Sequence, residues 1–312
     1  MARGKESQER RIAKVRRKGK LQDSLVSALT QERYRAAVRL LLAFWKSNCF
    51  EPSCLQDMDE ACAHFVEAAW SEGDSLTLAL QALAGLQWLL PNVKGHLRHS
   101  WRLAKAWAKA EPPARARPFT STMLMGLIGL ALVLGRVDIA ALFAIGFDGF
   151  LRSGELFNMK VKHVTFARGK AILQLPLTKG GLRRGLMECI VIESSLAVAL
   201  LKRACHRRPM SEFIAQSSPC VLREVLARML RLLQLESVKY TWYSLRRGGA
   251  TAYFVQSGSM EKTLLRGRWT SSTVARLYIQ DALAQAGELR LTVEQRFTLR
   301  ALSVEVRSFL LS

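Results

Sequence analysis

Carboxylates are scarce in this chain: 25 Asp and Glu stand against 47 Lys and Arg, leaving a formal charge of +22 and an isoelectric point near 10.4. That imbalance puts an acidic polymer or an anionic membrane surface at the head of the partner list. The six cysteines (Cys49, Cys54, Cys62, Cys189, Cys205, Cys220) form no CxxC pair, and the five histidines show no ligand spacing. Neither a zinc site nor a disulfide framework is expected, and the thiols suit a reducing compartment. Long apolar runs are missing too. The longest uncharged stretch, Phe119 to Gly135, falls just short of a membrane span and contains Thr120, Ser121, Thr122, Gly126 and Gly129. It fits a buried helix, and no membrane role is expected. The charged N-terminus lacks an apolar h-region, so no secretory signal is expected. Internal repeats and low-complexity tracts are absent.

What remains is a 312-residue chain, 49% apolar, long enough for two compact domains. Residues 1–20 form a basic tail; positions 2–20 hold nine basic and two acidic residues. Such a run is a solvated tail, a phosphate contact or a nuclear address, and the sequence does not choose. Residues 21–111 read as a helical domain with four helices. Thr30 is the expected cap of the first, whose apolar stripe is Tyr34, Val38, Leu41, Leu42 and Trp45. The second runs near Leu55 to Trp70, with Met58, Cys62, Phe65 and Ala69 on one face. The third, Ser75 to Leu90, stops before Pro91 and is apolar nearly all round, which makes it central. On the fourth, Arg98, Arg102, Lys105 and Lys109 fall on one face. Four cations with no intervening acid repel one another, so an anionic partner explains that face better than solvent does.

Prolines bound an extended linker at 112–118, and its Arg115 and Arg117 join the stripe as DNA-contacting candidates. Residues 119–285 form the second domain. It opens with apolar helices Thr120 to Gly135 and Asp138 to Phe150. A three-stranded antiparallel meander follows: Val161 to Ala167, Ala171 to Thr178 and Met187 to Glu193, with turns at Arg168-Gly169-Lys170 and Gly180 to Gly185. Helices return at Ser195 to His206, Cys220 to Leu235, Tyr243 to Ser257, Met260 to Arg266 and across Tyr278. Gly248 and Gly249 inside a helical pattern signal close backbone approach to another helix or to DNA. Residues 286–312 end in an amphipathic helix, Val293 to Leu311, with Thr292 and Gln295 in capping-box spacing.

Four phrases in chain order carry the chemistry. They are Phe147-Asp148-Gly149-Phe150-Leu151-Arg152-Ser153-Gly154-Glu155-Leu156, Leu177-Thr178-Lys179-Gly180-Gly181, Tyr243-Ser244-Leu245-Arg246-Arg247-Gly248-Gly249-Ala250-Thr251, and Arg266-Gly267-Arg268-Trp269-Thr270. Tyr278 follows Trp269 by nine positions. This order resembles the catalytic domain of tyrosine recombinases, the phage integrases and their relatives, over roughly Pro118 to Asp281. The preceding helical piece resembles the family's core-binding domain by length, helicity and charge.

The resemblance implies a mainly α protein with a small antiparallel sheet, a helical core-binding domain preceding an α+β catalytic domain. It places the family's catalytic positions on Arg152 with Glu155, Lys179, Tyr243 with Arg246, Trp269 and Tyr278. Phosphodiester cleavage builds negative charge on the non-bridging oxygens, and two always-charged guanidiniums, Arg152 and Arg246, suit it without a metal. Trp269 offers its indole N–H, Lys179 protonates the leaving 5′-oxygen, and Glu155 orients Arg152 or its neighbours. Tyr278 becomes a covalent 3′-phosphotyrosine, which preserves the bond energy for rejoining. Tyr243 stands where the family usually has His; a phenol is a poor base at neutral pH and is expected to donate a hydrogen bond to phosphate or to mark a slow enzyme.

The expected activity is site-specific recombination or integration by a homotetramer on double-stranded DNA, with the C-terminal helix docking in trans. No cofactor is expected, and the expected location is with DNA, in the cytoplasm or the nucleus. Type IB topoisomerase-like relaxation and a catalytically degenerate DNA-binding relic are the alternatives.

Overall fold

The computed structural model describes residues 25–112, 114–175 and 187–311. The chain divides into two compact units, Met1–Ala114 and Arg115–Ser312. The basic tail 1–20 lies outside the described residues. Among those described, no helix is long and apolar enough to cross a membrane.

The first unit contains α1 (Ala28–Ser47), α2 (Leu55–Ser71), α3 (Leu76–Leu89) and α4 (Arg98–Ala110). Ser27, not Thr30, caps α1: its Oγ accepts the Thr30 N–H at 3.3 Å. Ala28 and Leu29 are good helix formers, so the helix extends back to the serine. The buried stripe of α1 is Ala37, Val38, Leu41 and Trp45. Leu42 falls at its margin and is exposed, a departure from the expected stripe. Leu97 offers α4 no side-chain cap. Asp59 of α2 supplies one, its carboxylate accepting the His99 N–H at 2.9 Å and the Ser100 N–H at 3.0 Å. Desolvation pushes the Asp59 acid up, but the hydrogen bonds from Ser100 and His99 hold it below its ordinary value. With α4 pinned this way, Ala104 and Trp107 turn inward, and Arg98, Arg102, Lys105 and Lys109 are all exposed.

The second unit opens with α5 (Ser121–Val133), capped by Thr120, and α6 (Val137–Asp148), buried along most of its length. A short α7 (Ser153–Phe157) leads to the sheet of β1 (Val164–Ala167), β2 (Lys170–Leu175) and β3 (Glu188–Ile192), antiparallel in that order. The β1–β2 loop is Arg168-Gly169, both with positive φ, as a two-residue hairpin turn requires. The first strand is shorter than the apolar pattern predicts. Val161–His163 is a 3-10 turn, because the Val161 and Lys162 amides bond the carbonyls of Glu212 and Met210 instead of a strand. Then follow α8 (Ser195–Cys205), α9 (Pro219–Leu232), α10 (Tyr243–Ser257), α11 (Met260–Gly267), α12 (Ser272–Arg276), α13 (Asp281–Leu289) and α14 (Val293–Leu311). The fold class is as expected: mainly helical with one small antiparallel sheet.

The Thr292–Gln295 capping box forms, with reciprocal bonds of 3.2 and 2.9 Å. Helix α14 lies on α5 of its own chain through Leu299, Leu302, Val306 and Phe309. Contact is backbone-close: a Cβ on Gly129 would stand 2.0 Å from the Leu302 carbonyl oxygen. The opposite side of α14 exposes Val293, Phe297, Val304 and Leu311.

Candidate active site

Helix α10 is the floor of the site. A Cβ on Gly248 would stand 2.1 Å from the Phe119 carbonyl oxygen, and one on Gly249 1.9 Å from that of Phe147. The glycine pair therefore lets α10 meet protein backbone, and the first half of the helix, Ser244 through Thr251, is buried. Arg246 is carried inward with it and is 0% exposed.

A buried guanidinium needs acceptors. Arg246 donates Nη1 to the Phe150 carbonyl and Nη2 to the Gly267 carbonyl at 2.9 Å. Phe150 adopts φ 48°, a left-handed conformation uncommon for a bulky residue, at the junction between α6 and α7. The Arg246 guanidinium carbon lies 4.9 Å from the ring centroids of both Trp269 and Tyr278. Those two rings stack on each other at 4.6 Å and 30°.

Around this centre the other cations share carboxylates. Glu155 accepts the Arg152 N–H and Nη1, each at 2.8 Å, and Arg268 Nη2 at 2.9 Å. Arg268 also reaches Glu188 at the start of β3, at 3.3 Å. Burial alone would raise the Glu155 acid; the charge and hydrogen bonds of Arg268 and those of Arg152 hold it below its ordinary value. Arg268 has φ 57°, the left-handed cap at the end of α11, its N–H on the Leu265 carbonyl at 3.1 Å. Burial, then the charges of Arg152 and Arg268, lower Arg246 to about 10, so it remains cationic at neutral pH.

Four buried donors here lack partners: Nε of Arg246, Arg247 and Arg268, and the Trp269 indole Nε1. Unsatisfied buried donors are costly, and all four are N–H groups able to bond an acceptor supplied from outside the fold. Among the described residues no group of His, Cys, Asp and Glu is placed to hold a metal ion.

Tyr278 sits on the turn after α12, not within a helix. Its N–H bonds the Ala275 carbonyl at 2.8 Å, a tightened last turn. Burial alone would raise its phenol. The hydrogen bond with Tyr243, the charge and hydrogen bond of Arg246 and the charge of Arg152 outweigh it and hold Tyr278 below its ordinary value. Tyr243, whose ring centroid is 5.6 Å from that of Tyr278, is displaced upward by burial, then by its bond to Tyr278. The contact between the two phenols thus acts oppositely on them, raising Tyr243 and lowering Tyr278.

The structure therefore brings together Arg152, Glu155, Tyr243, Arg246, Trp269 and Tyr278. Lys179 lies outside the described residues. Arg98, Arg102, Lys105 and Lys109 belong to the other unit. Arg115 is exposed and Arg117 half-buried, with the Arg117 N–H on the Lys239 carbonyl at 3.1 Å. Arg247 and Arg268 stand in the quoted phrases without an assigned role. The signals were an arginine beside a glycine pair, which had to be buried, and one beside a large ring; their partners lie 30 to 131 residues away.

The fold is that of the tyrosine recombinases. No family model and no curated protein matches the chain. Among solved structures, the Tn1549 transposon integrase with circular intermediate DNA aligns over 89% of this chain and 97% of its own, at TM-score 0.59 and 13% identity. A lambda integrase dimer on a COC' core site aligns over 88% and 76%, at TM-score 0.56 and 17% identity. XerH site-specific recombinase on palindromic difH substrate aligns over 81% and 79%, at TM-score 0.55 and 16% identity.

Proposed function

We propose that this chain cleaves and rejoins DNA through a covalent 3′-phosphotyrosine on Tyr278, for site-specific recombination or integration. The observation that carries the reading is Arg246, buried beneath the stacked Trp269 and Tyr278 rings with donors to spare. The Tyr278 oxygen attacks phosphorus, Arg246 and Arg152 bind the non-bridging oxygens, and Trp269 adds its indole N–H. Glu155 holds Arg152 until phosphate takes its place and keeps Arg268 as its own counter-ion. Lys179 is assigned to the leaving 5′-oxygen as general acid, completing the exchange of one phosphoester for another.

Double-stranded DNA is the partner. A lambda integrase tetramer bound to a Holliday junction is among the similar structures, at TM-score 0.56, and supports a homotetramer as the working form. With its inner face seated on α5 of its own chain, α14 has only its outer face, with Val293, Phe297 and Val304 exposed, to offer a neighbouring protomer. The protein acts where the DNA is, in the cytoplasm or the nucleus. The decisive experiment is incubation with suicide duplexes from flanking genomic sequence, with and without excess EDTA. A covalent band in both is the expected result, since the arginines supply the charge stabilisation. No band with any duplex sinks the proposal, and supercoil relaxation by dilute protein redirects it to a topoisomerase.

The α4 stripe gives a second expectation. DNA affinity should fall steeply with salt, and neutralising Arg102 and Lys105 should lower the slope of log K against log salt by about two. An unchanged slope places that face in solvent.

The paired phenols give a third. Single-turnover cleavage should rise with pH and level off below the ordinary phenol value of about 10. The sign follows from the lowered Tyr278: its phenolate, the attacking form, accumulates earlier as pH rises. Tyr243→Phe removes the bond between the phenols, so the level-off should move upward and the rate near neutrality drop roughly 5- to 30-fold, about 1 to 2 kcal/mol. A Tyr243→Phe profile that overlays the parent reduces Tyr243 to packing.

A further inference from the structure

The backbone that carries Tyr278 is held from outside α12 and its following turn. Arg247, 3% exposed, donates Nη2 to the Leu277 carbonyl at 3.1 Å, immediately before the nucleophile. Its Nη1 donates to the Ala116 carbonyl at 2.7 Å, in the segment that enters the second unit. One turn further along α10, the Thr251 hydroxyl accepts the Gln280 N–H at 3.0 Å. Its single proton lies between the Arg247 carbonyl at 2.8 Å and the Tyr278 carbonyl at 3.3 Å. Two side chains of one helix thus bracket Tyr278 on both sides. No side-chain packing of the phenol itself does this; the grip is on main-chain groups.

We propose that Arg247 and Thr251 are positioning residues that set the Tyr278 backbone for attack and couple it to the entry segment at Ala116. A helix continuing past Arg276 would use the Leu277 and Tyr278 carbonyls for its own ladder. Here they point to α10 instead, so the chain turns at Leu277 and the phenol is presented at the site. Because one planar guanidinium holds both carbonyls, displacement of Ala116 is transmitted to Leu277 without passing through the core. Arginine suits the bridge for that reason, and lysine, a single point donor, does not. Both arginines bond carbonyls, but Arg246 lies against the Trp269 and Tyr278 rings, whereas Arg247 holds the main chain before Tyr278.

The inference rests on Tyr278 as nucleophile, and its test separates the two. Amide hydrogen exchange across 277–280 and single-turnover cleavage of a suicide duplex are measured on the full chain for Thr251→Val, Thr251→Ser, Arg247→Gln and Arg247→Lys. Thr251→Val is isosteric and lacks the hydroxyl. It should speed exchange at Gln280 about tenfold while α6 amides stay protected, and slow cleavage about tenfold or more with DNA affinity within twofold. Thr251→Ser should restore both. Arg247→Gln should slow cleavage similarly, and Arg247→Lys should not rescue it. Parental exchange and rate in Thr251→Val, or acceleration spread equally over α6, overturns the proposal. If the parent forms no adduct, the assigned activity falls, and exchange at 277–280 alone decides whether the grip exists.

Discussion

Tyr278→Phe is expected to abolish covalent capture of DNA and leave duplex affinity within a few fold. The substitution removes one oxygen, and with it the hydrogen bonds that oxygen makes with Tyr243 and Arg246. A phenyl ring retains the stack on Trp269 at 4.6 Å and the face presented to the Arg246 guanidinium at 4.9 Å. The Arg247 and Thr251 contacts are to main chain and survive as well. Stability should therefore fall by about 1 to 3 kcal/mol at most, too little to unfold the site, so the loss of adduct belongs to the chemistry. The measurement is adduct formation on a suicide duplex beside equilibrium binding to the same duplex. A phenylalanine variant that still forms the adduct moves the nucleophile elsewhere.

Arg246→Ala is expected to be the most damaging change in the molecule, on two counts. Catalysis loses the cation that faces the developing charge, which should lower single-turnover cleavage by roughly a thousandfold or more. The fold loses the side chain that ties the Phe150 and Gly267 carbonyls together. The Phe150 carbonyl keeps Arg268 Nη2 at 3.5 Å, but the Gly267 carbonyl loses its side-chain donor; a buried acceptor without a donor costs about 1 to 3 kcal/mol, so thermal stability should fall measurably too. Arg246→Lys separates the effects. It keeps the charge, restores part of the stability, and still cleaves poorly, because one ammonium does not span two carbonyls and a phosphate. If Arg246→Ala cleaves like the parent, Arg246 is a structural pin.

Much of this arrangement is legible in the residues, unevenly and for physical reasons. Periodicity finds the helices because burial and the 3.6-residue repeat coincide, as in Val38, Leu41 and Trp45. It misplaces the start of α1 because Ser27 and Thr30 are equally good caps, and only the preceding Ala-Leu decides. It extends β1 back to Val161 because an apolar residue in a 3-10 turn looks like one in a strand. The Gly248-Gly249 pair announces a close approach but not against what. Order and spacing bring out Arg152, Arg246, Trp269 and Tyr278, which the fold gathers. They are silent on Arg268, whose carboxylates come from α7 and β3. They are also silent on the direction of the Tyr243 hydroxyl, which depends on the angle between two rings, and rings at that separation face several ways.

The seat of α14 on α5 bears on where the chain tolerates being cut. Because Gly126 and Gly129 are recessed to admit Leu299 and Leu302, the last helix fills a hollow in α5. Truncation before Val293 would leave that hollow and its apolar surround facing water, and such a fragment should clump at concentrations the whole chain tolerates. A bulky fusion belongs beyond Leu311, where the helix is exposed, and not between α13 and α14. Helix α14 is thus a plug, and versions of this protein that lack it should be judged by solubility before they are judged by activity.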